Sequence, residues 1–281
     1  MKGQESPKRP NVRGAGEPSE VGEPTLATSN PAFSQSLFTG YGQEYGVSRS
    51  TVMTVQGAIA KTFLLLGVLS ATAIWSWSAA TSQQLQPIVL PVAAIGGFIL
   101  ALATIFKPTL SPWTAPLYAA FEGVVLGVIS YYVEAGLSGR HMPMPGIAIQ
   151  AVSITCGTLF CMLFVYSTGL IKVTDKLRAG IVSATGAICL VYIGSMVLGL
   201  FGVQVPFLRA ANPIGIGIGV VIAGVAAFNL LLDFDFIEKG AANGAPKYLE
   251  WYGAFGLLLT LVWLYLEILQ ILRQFYGRDS R

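Results

Sequence analysis

The chain has 281 residues, 53% of them hydrophobic and 11% charged, with 32 glycines and a mean hydropathy of +0.64. A soluble domain carries roughly 25% charge, so a water-soluble globule of this size would leave apolar area wet, and the composition points to lipid as the solvent. Lysines and arginines number 17 against 14 acids, a net +3, without the clustered basic face of a nucleic-acid-binding protein, so no nucleic-acid partner is expected.

Residues 1–50 are a different material. Pro, Gly, Ser and Glu dominate in QESPKRPNVRGAGEPSEVGEPTLATSNP, and little there would build a core. The composition predicts a disordered cytoplasmic tail. It carries no apolar stretch followed by a small-residue cleavage site, so the first membrane helix is expected to act as its own insertion signal.

Seven apolar runs follow, at residues 55–77, 85–106, 116–133, 147–171, 179–202, 214–236 and 251–271. Each is about 18–25 residues, long enough to cross a hydrocarbon core of roughly 30 Å as a helix. Lys61 near the start of the first run is expected to snorkel to the interface. The third run is the shortest and carries Glu122, read as an interfacial group about 9 Å into its helix. Asn212-Pro213 reads as an N-cap and first helical position for the sixth run. The predicted architecture is all-α: a seven-helix transmembrane domain over residues 51–276 and a short C-terminal tail at 277–281.

With the tail inside, the connecting loops place Lys107, Lys172, Lys176, Arg178, Lys239 and Lys247 on the inner side and only Arg140 and Arg209 outside. This bias predicts a cytoplasmic N-terminus. A thiol engineered at Lys176 is expected to react from the inside and one at Ser138 from the outside; the reverse pattern would overturn the orientation.

Cys156, Cys161 and Cys189 all fall inside apolar runs and read as small packing residues. His141 sits in a short loop with no Cys or carboxylate at ligand spacing, so neither a metal site nor a cofactor is expected. Small residues recur four apart at Gly123 and Gly127, and at Gly215, Gly219 and Ala223. Such faces let helix backbones approach closely in lipid. The GIGIGV stretch follows no strand and is not a nucleotide loop.

Ionisable groups inside a bilayer cost roughly 2.5–3.5 kcal/mol or more and call for a reason. Four acids qualify: Glu122, Asp233, Asp235 and Glu267. Asp233 and Asp235 are two apart and point to different faces of one helix. Glu267, in LVWLYLEILQIL, has no basic residue within a turn and is the deepest charge in the sequence. Two carboxylates meeting in a low-dielectric site would share a proton, close together when protonated, and separate or hold a cation when ionised.

LLLDFDFIEKG resembles the D-x-x-x-I segment of the Bax inhibitor-1 family, LYLEIL its L-Y-L-D segment, and PLYAAFEGVVLGVIS its E/T-G-x-x-L-G segment. TSNPAF is similar to the start of long-tailed bacterial members. The resemblance implies a multi-pass protein of the bacterial inner membrane, with a central last helix. It also implies a proton-sensitive calcium leak gated by an acidic pair, which by motif is Asp233 and Glu267. Glu122 and Asp235 stand as secondary candidates. Animal members are known for suppressing cell death, and a bacterial member for regulating a membrane protease. A regulatory role on a membrane partner without ion transport is therefore the alternative. An intramembrane aspartyl hydrolase would need a G-x-G-D segment, which is absent, and no enzyme activity is expected. The pairing of Asp233 with Glu267 requires the seventh helix to begin near Gly256, with KYLEWYGAF at the interface.

Overall fold

The computed structural model describes residues 52–138, 146–202 and 212–278. The predicted tail at 1–50, the loop with Arg140 and His141, Arg209 and the last three residues lie outside that set. The described chain forms seven long helices: α1 (Val55–Thr81), α2 (Val89–Phe106), α3 (Ser111–Ser138), α4 (Ile147–Ser167), α5 (Asp175–Leu200), α6 (Pro213–Ala242) and α7 (Leu249–Arg278). All seven are long and apolar enough to cross a membrane.

Punctuation residues explain where the helices depart from the hydropathy runs. Pro87 has no N–H and disfavours helical backbone at the residue before it, and α2 begins at Val89 and not at 85. Ser111 begins α3 five residues before the apolar run, and Pro116 is accommodated inside the helix. Asn212 caps α6, its side chain accepting from the Gly215 amide at 2.7 Å, with Pro213 at the first position. The apolar run of α6 ends at Phe236, but the helix continues to Ala242. Gly244, at φ +67°, then turns the chain in the left-handed region that glycine adopts without strain. The last helix starts at Leu249 and runs through Arg278, past the predicted boundary at 276.

The last helix is the hub. In its apolar stretch 67% of residues are buried, against 6% in α5, and it packs against α1, α3, α4 and α6. One core cluster joins α1, α3 and the start of α7 around Leu65, Tyr118, Tyr252 and Phe255. A second joins α4, α6 and the rest of α7 around Ala151, Leu230, Leu261 and Leu264. Outward faces carry bare apolar side chains such as Phe98, Trp113 and Leu190, as expected where the solvent is hydrocarbon.

The tightest seam is between α1 and α3, and glycine makes it. A Cβ added to Gly123 would sit 2.3 Å from the Leu69 carbonyl oxygen, and one on Gly127 would sit 2.2 Å from that of Ala73. Gly215 is buried in α6, and Gly219 lies against the flexible side chain of Ile271. Ala223 packs on the second cluster. The three cysteines are exposed, which corrects their reading as packing residues. A thiol is apolar enough to face lipid, so burial in protein is not required.

Candidate functional site

Ionic groups gather at one end of the bundle, where α6 hands over to α7. The carboxylate of Glu250, fully buried in the first turn of α7, is its centre. Its Oε1 accepts from the backbone and hydroxyl of Thr54, both at 2.9 Å, and pairs with Lys247 at 2.8 Å. Its Oε2 pairs with Lys61 of α1. Lys61 also lies 5.4 Å from the ring centroid of Trp251. Lys61 is therefore held by an ion pair at that end of the bundle. The strand-like segment before α1 is strapped to the same corner, with the Met53 amide donating to the Ala245 carbonyl at 2.6 Å.

Alongside is a second cluster. Arg178, in the first turn of α5 and 4% exposed, places Nη2 2.6 Å from Asp235 Oδ2. Lys239, one turn on in α6, reaches the same oxygen at 2.8 Å. Asp235 is thus a buried, doubly paired carboxylate. The Tyr166 hydroxyl of α4 donates to Glu238 of α6 nearby.

Asp233 is buried at 1% exposure. It stands one turn before Ile237 on the α6 face that meets α7. Glu267 is 6% exposed and accepts from the Tyr192 hydroxyl of α5 at 2.5 Å and from the Trp263 indole at 3.3 Å. Two close approaches set the antiparallel register of α6 and α7. A Cβ on Gly253 would lie 3.0 Å from Ile237 Cγ1, and one on Gly219 would lie 2.9 Å from Ile271 Cγ1. That register puts Asp233 level with Leu257 and Glu267 level with Ala223. From Leu257 to Glu267 is ten residues of helix, about 15 Å along the axis. The expected face-to-face pair is corrected accordingly. It required the seventh helix to begin near Gly256, and α7 begins at Leu249 because Leu249, Tyr252 and Phe255 are core residues on a helical face, all buried.

Glu122 is also deeper than the sequence suggested. With α3 starting at Ser111, it lies eleven residues in, about 17 Å. It is half-buried beside Tyr118. Its Oε2 faces α2, 3.6 Å from where a Cβ on Gly97 would be.

Three partners escaped the sequence reading. Glu250 stood in a segment taken for interface, and its signal was Lys61, an otherwise costly charge near the start of a membrane helix. Arg178 read only as a loop cation. Tyr192 is 75 positions from Glu267, and no local pattern links them. Among the described residues, no three His, Cys, Asp or Glu side chains gather in a way that could hold a metal ion.

No curated protein and no solved structure matches the chain. One family model does, over residues 30–277, and its description is Bax inhibitor 1 like. That span takes in all seven helices, the Asp233–Asp235 segment and Glu267, and the chain is accordingly a multi-pass membrane protein belonging to the Bax inhibitor 1 like family.

Proposed function

We propose that this protein is a pH-sensitive cation leak of the inner membrane, with calcium as the permeant ion. In this reading Asp233 and Glu267 act as two acidic stations at different depths and not as a proton-sharing pair. The observation that carries it is the burial of both carboxylates in the central α6–α7 region, about 15 Å apart in depth. Membership of the family supports the same reading.

The chemistry follows from the cost of buried charge. A protonated acid is neutral and sits in a dry seam at little cost. An ionised one needs water, a donor or a cation. Acid therefore favours the closed bundle. Rising pH creates negative charge along the seam and draws in water and cations. Asp235 differs because Arg178 and Lys239 already compensate its charge.

Calcium flux into proteoliposomes, followed across a pH series, tests this. Wild-type flux is expected to rise with pH. Asp233→Asn and Glu267→Gln are each expected to flatten that rise, and Asp235→Asn to keep it. An absence of flux at every pH would sink the leak. Unchanged pH dependence in both amide variants would leave the acids a packing role only, as in a protein that regulates a membrane partner.

A further inference from the structure

We propose that α5 is a swinging helix, clasped to the bundle by one polar stripe and hinged at Gly169 and Gly202, whose release opens a wettable seam from Asp235 down to Glu267.

The stripe is regular. Arg178, Thr185 and Tyr192 recur every seven residues, two helical turns, so they share one face of α5. Each makes a polar contact with the bundle at a different depth. Arg178 meets Asp235 at 2.6 Å, Thr185 Oγ1 accepts from Asn229 Nδ2 at 2.8 Å, and the Tyr192 hydroxyl donates to Glu267 at 2.5 Å. On α6 and α7 the matching groups extend from Asp235 to the level of Ala223, about 18 Å into the membrane.

The rest of α5 does little to hold it. Among the described residues its backbone runs chiefly beside α6. Gly180, Gly186, Gly194 and Gly199 have open space where a Cβ would be, unlike Gly123 and Gly127 of α3. Leu190 and Met196 are 72% and 65% exposed. In lipid an apolar helix face gains little by choosing protein over acyl chains, so the polar contacts decide whether α5 stays docked. Both ends of the helix offer a pivot. Gly169, just after α4, has φ +67° and Gly202, just after α5, has φ +78°, positions where glycine absorbs a backbone change that other residues resist. The inference concerns packing and holds whether or not ions pass.

The test is a pair of distance measurements between nitroxide labels in lipid nanodiscs, with Cys156, Cys161 and Cys189 replaced by serine. One label pair, at positions 190 and 221, spans α5 and α6 on exposed faces. The other, at 75 and 132, spans α1 and α3 and reports that the bundle is intact. Thr185→Val with Tyr192→Phe is expected to raise the long-distance α5–α6 population roughly tenfold, the combined weight of two interhelical hydrogen bonds, without moving the α1–α3 distance. Tyr192→Phe alone, which removes one oxygen and keeps the ring, should shift the population the same way by less. An unchanged α5–α6 distribution in Tyr192→Phe and in the double variant would overturn the proposal, as would an equal spread in the α1–α3 pair for Tyr192→Phe.

Discussion

Replacing Gly127 by alanine is expected to destabilise the bundle by about 2–3 kcal/mol, the range for inserting a methyl group where nothing can yield. The added carbon would lie 2.2 Å from the Ala73 carbonyl oxygen and 2.1 Å from Ser76 Oγ. A hydroxyl can rotate aside. The carbonyl belongs to the backbone of α1, so α1 itself must retreat along its contact with α3. Ser76→Ala combined with Gly127→Ala should therefore rescue little. Gly123→Ala meets the Leu69 carbonyl in the same way and should cost a similar amount. Gly136, further along α3, has nothing within 4 Å. Gly136→Ala should be neutral or stabilising by up to about 1 kcal/mol through helix propensity. Unfolding in mixed micelles ranks the three variants, and equal effects at positions 127 and 136 would refute the close-approach argument.

Glu250→Ala is the second large effect. Removing one partner of a buried ion pair costs about 3–5 kcal/mol, because the remaining charge is left without compensation. Here Lys247 is 46% exposed and Lys61 17%, so water reaches part of the cluster and the lower end, about 3 kcal/mol, is expected. The loss also frees the Thr54 amide and hydroxyl. Lys61→Met together with Glu250→Gln should recover part of the stability, since the only charge then left without its partner is the half-exposed Lys247, which water can solvate. A double variant less stable than Glu250→Ala would mean that the ion pair itself, and not the avoidance of an orphan charge, stabilises the corner.

Hydropathy made the seven helices legible, because a lipid solvent forces every span to be apolar over a fixed length. Helix ends were less so. Backbone hydrogen bonding carries α6 beyond Phe236 through Glu238 and Lys239, and α7 starts at Leu249, just ahead of the charged Glu250, where hydropathy alone sees a break. The register of α6 on α7 decides the site, since the close approaches of Gly253 to Ile237 and Gly219 to Ile271 hold Glu267 away from the level of Asp233. Spacing marked Gly123 and Gly127 correctly as small residues on one face, yet could not say that their partner is α1. The acids stood out by their cost. Their partners did not, because Arg178 and Tyr192 come from a helix distant in sequence and are ordinary in their local surroundings, and Lys61 marked a costly charge without naming Glu250 as its partner.

The hub position of α7 bears on how the chain is made. Synthesis proceeds from the N-terminus, so six helices enter the membrane before their shared core exists. Until residue 250 emerges, Lys61 lacks its carboxylate, and the inner faces of α1, α3, α4 and α6 lack the surface they enclose. Truncation before α7 thus yields staves without an axle, while the strap from Met53 to Ala245 ties the segment before α1 to the turn that leads into α7.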